Sequence, residues 1–237
     1  MQAYLKELYS ELKEKYKGSL VSVKHVKNLE PNAKEYLNIL AKQGLIEKIT
    51  WGWYWIPDRI KDIWDFLSKD KNFKIISAQT AASFWNYDFI HRNVYLLKVA
   101  DRSYGRALKE FAKKRGWNIE LEYIKPKEVS YKKFDNLLVE DIEDNIIECM
   151  QRWAFTDAFA TLYANRRKLD LASLEKKAYW KRVAKSNVRV KQALKYGYSI
   201  ANKLTGKRLF PVKQPKFKDE SIKREIEEAV EKVIELA

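Results

Sequence analysis

A chain of 237 residues with 46% hydrophobic content has room for two small domains or three subdomains, and enough apolar material for packed cores excludes general disorder. Its 47 Lys and Arg against 32 Asp and Glu leave a formal charge of +15, which favours a polyanionic partner: DNA, RNA or an anionic surface. No apolar run is long enough to span a bilayer, and the first residues read as a charged amphipathic helix rather than a signal peptide. A cytoplasmic protein with no membrane partner is expected. The single Cys149 excludes an internal disulfide and falls in an apolar helical pattern, as a buried core residue would.

Residues 2–16 carry Leu5, Leu8, Leu12 and Tyr16 at helical spacing, and Gly18 ends that helix. The stretch 20–57 predicts a winged helix-turn-helix. Ser22 is placed to cap a short helix ending at Lys27, and Asn28, Leu29 and Glu30 make a turn. Pro31 suits a first helical position, where its missing N–H costs nothing. Ala33, Tyr36, Leu37 and Leu40 share one face of a second helix, which Gly44 ends in the left-handed conformation. Residues 45–49 and 54–56 read as strands of a hairpin turned at 50–53, the wing.

A helix of this kind fits the DNA major groove while the hairpin reaches the flanking backbone. Asn32, Lys34, Glu35, Asn38 and Lys42 face away from the core. Base contacts are expected from Asn32, Glu35 and Asn38, since a carboxamide can pair with adenine in two places at once. Phosphate contacts are expected from Lys24, Lys34, Lys42 and Lys48, with Thr50 and Trp51 exposed on the wing. Protein docking or a purely structural role is the competing reading of such a module. Ten basic against seven acidic residues over 1–60 do not by themselves imply tight non-specific binding.

Beyond Pro57, Asp58 is placed to cap a helix through Ser68 with Ile60, Ile63, Trp64 and Leu67 inward. A strand over 71–76 precedes a helix capped by Ser77, whose small Ala81 and Ala82 suit close packing. A strand over 93–100, a helix over 103–115 and a strand over 117–124 complete a small α+β layer. The rest reads as helical: one helix through Ile142, Ile146, Cys149 and Trp153, one over 155–163, one from Asp170 or Ser173 through Tyr179, Trp180 and Val183, and one from about Asn187 through Ile200. After Gly206 an extended link with two prolines leads to a last helix over 219–236. The expected fold class is α+β: an N-terminal winged helix-turn-helix (1–57), a small mixed α/β middle layer (58–140), a mainly helical basic part (141–210), and a linker with an acidic C-terminal helix (211–237).

The charge is concentrated. Residues 160–218 hold 17 Lys and Arg against two acids, Asp170 and Glu175. Arg166, Arg167, Lys181, Arg182 and Arg189 are expected to add DNA contacts, and Lys185 belongs to the same block. Tyr163, Tyr179, Trp180, Tyr196 and Tyr198 are interleaved. Basic residues with aromatics suit nucleic acid, but spacing assigns these aromatics to the core. The block needs a partner, either nucleic acid or the acidic last helix folding back across it.

Catalytic patterns are missing. The seven glycines are scattered and form no phosphate loop. His25 reads as structural and His91 as a surface residue. One Cys and two His make no metal set. Glu140, Asp141, Glu143 and Asp144 stand at a helix start, where acids complement the macrodipole. No enzyme activity, metal or cofactor is expected.

Three stretches resemble the AbiEi-type antitoxins, the transcription-repressing half of type IV toxin–antitoxin systems. They are the winged-helix region closing on Gly52-Trp53-Tyr54-Trp55-Ile56-Pro57, the helix start Ile76-Ser77-Ala78-Gln79-Thr80-Ala81-Ala82 with the strand after it, and residues 139–149 with the basic helices beyond. Where the family carries a Pro-Glu-Arg phrase, this chain has Glu140-Asp141-Ile142-Glu143. The resemblance implies a repressor of its own promoter that counters a nucleotidyltransferase-like toxin without needing to touch it. A homodimer on a two-fold site suits such a module. The alternative is an RNA-binding or protein-docking module that uses the basic C-terminal helices.

Overall fold

The computed structural model describes residues 3–86, 94–184, 186–211 and 219–236. Expectations that fall on Gln2, His91, Asn93, Lys185 and the link over 212–218 lie outside them. Among the described residues the architecture is α+β, with eleven α-helices and two sheets. None of these helices is long and apolar enough to cross a membrane.

The first elements are α1 (Ala3–Tyr16), β1 (Leu20–Ser22), α2 (Val23–Lys27), α3 (Ala33–Lys42), β2 (Glu47–Thr50) and β3 (Trp53–Trp55). Leu5, Leu8 and Leu12 of α1 pack with Val26, Ala33, Leu37 and Leu40 in one apolar cluster. Helix α3 begins later than its sequence suggests. Pro31 lies in the preceding turn, and Asn32 makes no side-chain cap. The buried Glu30 carboxylate holds the turn, accepting the Asn32 N–H at 2.8 Å and the Tyr4 hydroxyl. Gly44 closes α3 at φ 72°. Strand β1 is an unforeseen third member of the hairpin sheet, which has the order β1-β3-β2. It pairs antiparallel with β3 in the register Leu20↔Trp55, Val21↔Tyr54, Ser22↔Trp53.

Helix α4 (Ile63–Lys69) is capped by Asp62, whose side chain accepts the Asp65 N–H at 2.8 Å. Asp58 does not serve as the cap. Its carboxylate is taken by Lys17 at 3.3 Å and Lys69 at 3.0 Å. There follow β4 (Lys74–Ile76), α5 (Ala78–Trp85), β5 (Val94–Val99), α6 (Arg102–Lys114), β6 (Asn118–Tyr123), β7 (Tyr131–Phe134) and β8 (Leu137–Glu140). Asp101 caps α6, accepting the Ser103 N–H at 2.6 Å. The five-stranded sheet has the order β6-β5-β4-β8-β7, and β4 and β8 run parallel. Its β7–β8 turn was not foreseen and places Asp135 at φ 51°.

The chain divides into two compact units. One is Met1–Ile75, Leu97–Glu128 and Lys133–Leu138; the other is Ile76–Leu96, Val129–Lys132 and Val139–Ala237. The division cuts across β4, β5, β7 and β8.

The second unit adds α7 (Ile142–Gln151), α8 (Phe155–Asn165), α9 (Leu171–Ala178), α10 (Val190–Thr205) and α11 (Glu220–Glu235). Asp141, Asp170 and Asp219 cap α7, α9 and α11. The acidic cluster is structural. Buried Glu140 accepts the Ala78 N–H at 3.0 Å and the Ser77 hydroxyl at 3.1 Å, and Asn145 donates to the Ala78 carbonyl at 2.7 Å. Together they clamp Ala78 at φ 47°, a conformation an alanine adopts only when held. Glu143 pairs with Lys177 at 2.7 Å. Helix α9 stops at Ala178, five residues short of Val183, so the expected run through Tyr179, Trp180 and Val183 is broken. Helix α11 buries Ile222, Ile226, Ala229, Val230 and Val233 in its own unit's core.

Close packing in this unit depends on Gly197 of α10. A Cβ there would stand 2.1 Å from the ring of Phe159, which is itself buried. Gly197→Ala gains up to about 1 kcal/mol of helix propensity but must displace that ring, an overpacking cost of about 1–3 kcal/mol. Urea denaturation is expected to show a net loss of stability in Gly197→Ala and partial recovery in the double variant Gly197→Ala/Phe159→Leu.

Candidate nucleic-acid interface

Four elements of the first unit build one cleft. Ser22 Oγ accepts the His25 N–H at 3.3 Å, and His25 Nδ1 accepts the Ser22 N–H at 3.3 Å. This reciprocal capping box fixes the start of α2 with histidine where Glu or Gln is usual. The Val23 N–H donates to the Gly52 carbonyl at 3.0 Å, so α2 is tied to the hairpin turn. Gly52 sits at φ 74°, which the tight turn needs. The Trp53 indole N–H donates to the Ser103 hydroxyl at 2.7 Å, fixing the inner face of β3. Glu47 of β2 is clamped by Lys114 at 3.0 Å and Arg115 at 3.1 Å. Burial pushes the Glu47 carboxyl up, but these two cations outweigh it and hold the group below its ordinary value.

Between α3 and the hairpin lies a cavity of about 330 Å³. Lys24, Lys27, Lys34 and Lys48 line it, with Trp51, Trp53 and Tyr54 as apolar wall. All four lysines are exposed, and among the described residues none is ion-paired. The one carboxylate in the lining, Asp101, is occupied in capping α6. Trp51 stands at the hairpin tip, 82% exposed, with Lys34 Nζ 6.0 Å from its ring centre. An anion entering the cleft meets four ammonium groups and a flat apolar wall.

Of the residues singled out in sequence, Lys24, Lys34, Asn38, Lys48 and Trp51 come together here. Asn32, Glu35 and Lys42 are exposed on α3 outside the lining. Thr50 is half-buried at the end of β2, opposite Trp53. Asn38 is committed elsewhere: its Oδ1 accepts the Tyr54 hydroxyl at 2.9 Å and its Nδ2 donates to the Lys34 carbonyl at 2.8 Å. It braces the hairpin against α3, which uses one donor and one acceptor of its carboxamide. Lys27 was not singled out, although it lies three residues after Lys24 and so on the same helical face. Asp101 and Ser103 arrive from 50 residues away in sequence, and no local pattern announces them.

The remaining cations belong to the second unit. Arg166 folds onto Tyr163, donating to its carbonyl at 2.6 Å with the guanidinium 4.1 Å from the ring centre. Arg167 and Lys181 are exposed, and Arg182 is exposed while donating to the Asn187 carbonyl at 2.8 Å. Arg189 lies against Tyr179. Among the described residues no group of three His, Cys, Asp or Glu side chains is placed to hold a metal ion. No family model matches the chain, and no curated protein matches it in sequence. The likeness to AbiEi-type antitoxins is therefore carried by the quoted stretches alone.

The His25 cap makes α2 sensitive to pH. Burial pushes this imidazole below its ordinary value of 6.5, against the opposing pull of Asp101 and Asp70. The unfolded chain thus takes up the proton first. The stabilising contribution is complete above the unfolded value and is lost as pH falls through it towards the folded value. Thermal melts at pH 7.5 and pH 5 are expected to show a larger drop for the parent than for His25→Gln, which keeps a neutral acceptor at the same helical position.

Proposed function

We propose that the first unit is a winged helix-turn-helix that binds duplex DNA. The observation that carries this reading is the cleft between α3 and the hairpin lined by four lysines that have no ion pair among the described residues, with Trp51 at its outer edge. The three-stranded sheet with α1, α2 and α3 supports it, because β1 anchors the hairpin beside the helix. In this reading α3 enters the major groove. Asn32 and Glu35 meet base edges at its exposed start. Lys24, Lys27, Lys34 and Lys48 take phosphates, Lys42 takes one further along α3, and Trp51 packs on the sugar–phosphate edge. Asn38 contributes by holding Tyr54 and the hairpin in place.

The biological role follows the resemblance: a cytoplasmic transcriptional regulator that represses its own promoter and counters a nucleotidyltransferase-like toxin, with no catalytic chemistry of its own. Two-fold pairing on DNA suits this module.

The test is a fluorescence titration of promoter duplex across a range of salt. Each lysine–phosphate contact contributes about one unit to the slope of log affinity against log salt. Lys34→Ala/Lys48→Ala is expected to weaken binding to all duplexes and to flatten that slope by about two. Asn32→Ala is expected to relax discrimination at a single base pair, by about 1–3 kcal/mol. An unchanged slope in the lysine double variant would remove the cleft from the interface.

A further inference from the structure

Beyond that reading, which concerns the first unit, the second unit carries an aromatic surface the sequence assigned to the core. Helix α9 stops at Ala178, and the chain turns into a short antiparallel bridge between Arg182 and Arg189. The Val190 N–H donates to the Lys181 carbonyl at 3.0 Å, and Val183 and Val188 close the inner end at 3.0 Å. Trp180 stands at the base of this bridge, 77% exposed, with Tyr179 beside it at 38%. Their ring centres are 4.6 Å apart and their planes 88° apart. The Arg189 guanidinium lies 4.8 Å from the Tyr179 ring centre and 5.5 Å from that of Trp180. Tyr179 and Arg189 thus flank the indole while leaving most of it in water.

The surrounding charge is mostly positive, with Asp219 reaching the same loop by accepting the Ser186 hydroxyl at 2.7 Å. Glu175, the nearby acid in sequence, is engaged by Lys191 at 3.4 Å and Lys195 at 3.2 Å. Among the described residues Lys176, Lys181, Arg182 and Arg189 have no ion pair. Helix α11 spends acids on its own residues, Glu220 on Lys223 and Glu228 on Arg224.

We propose that Tyr179, Trp180 and Arg189 form a platform for an unpaired nucleobase of a single-stranded nucleic acid, with the neighbouring phosphates on Lys181 and Arg182. An indole stacks on any base because every base has a π face, and a guanidinium adds cation–π attraction. In a duplex that face is buried in the stack, so the platform selects single strands. An acidic peptide would use the cations but leave the indole idle. Base stacking and phosphate contacts do not depend on the sugar, so DNA and RNA strands share the recognised chemistry.

The experiment is an anisotropy titration of the full chain with labelled oligo-dT and oligo-rU of about 12 nucleotides, a length within the usual site size. An abasic strand of equal phosphate count, a promoter duplex and a poly-glutamate competitor complete the set. Trp180→Ala is expected to weaken both oligonucleotides about 5- to 150-fold. Trp180→Phe should lose less, and the duplex affinity and thermal midpoint should not move. Lys34→Ala/Lys48→Ala should weaken the duplex and spare the single strands, so this proposal and the duplex reading fail separately. Tighter binding of one sugar identifies the natural strand, and either preference upholds the platform when Trp180→Ala removes it. The proposal is overturned if the parent chain binds no single strand, if Trp180→Ala binds oligonucleotides like the parent, if the abasic strand binds as well as oligo-dT, or if poly-glutamate displaces the strands as readily as they displace one another.

Discussion

The first unit depends on one buried carboxylate. The Asp70 side chain is fully buried in a network of four donors. It accepts the Leu20 N–H at 2.9 Å, the Tyr104 hydroxyl at 2.6 Å and the Asn72 amide at 2.8 Å, and it pairs with the buried Lys74 ammonium at 3.3 Å. Burial pushes Lys74 below the ordinary lysine value against the pull of Asp70. Burial, reinforced by the Asp70 charge, pushes the Tyr104 hydroxyl well above the ordinary tyrosine value and keeps it a donor. Removing one partner from such a site costs roughly 3–5 kcal/mol, because the charge left behind has no solvent to meet it.

The consequence reaches the cleft by a short route. Leu20 begins β1, which pairs with β3, and β3 leads back through Gly52 to Trp51 and Lys48. Tyr104 follows Ser103, the acceptor of the Trp53 indole. Asp70 therefore sets both the strand on which the hairpin hangs and the helix start against which its inner face rests. Neutral, apolar residues of similar volume would give comparable stability, but they would not specify where β1 and α6 meet. The lysines lining the cleft repel one another, so they stay converged only because the backbone beneath them is fixed.

Much of this was legible in the sequence where local rules decide. Helices α1, α3, α8, α10 and α11 follow apolar spacing, and Ser22, Gly44 and Gly206 act where capping chemistry places them. Local rules fail where a contact distant in sequence wins. Asp58 has the chemistry of a cap, but Lys17 and Lys69 claim it. Asn38 has the chemistry of a base reader, and the structure adds a second task, accepting the Tyr54 hydroxyl from the hairpin. Strand β1 is three residues long and shows no alternation, so nothing marks it until β3 supplies a partner. The β7–β8 hairpin carries a local signal, since Asp135-Asn136 is a turn pair. Trp180 is exposed although apolar spacing runs on through it, because the helix ends at Ala178 and spacing alone does not reveal that end.

The acidic last helix shows why net charge has to be located before it is interpreted. By sequence, α11 looks like a counter-ion for the basic block. Its placement is decided by Ile222, Ile226, Val230 and Val233, which are buried against α8 and α10. Burying such side chains is worth roughly 1.5–3 kcal/mol each, whereas exposed ion pairs contribute about 0–1 kcal/mol. Apolar packing therefore fixes the helix, and the acids point wherever that leaves them. Two of them pair with Lys223 and Arg224 within α11, and Glu227 takes the Tyr196 hydroxyl. Asp219 at the start of α11 reaches the loop beside Trp180 by accepting the Ser186 hydroxyl at 2.7 Å, so the helix tempers the field of the cations there without being positioned by it.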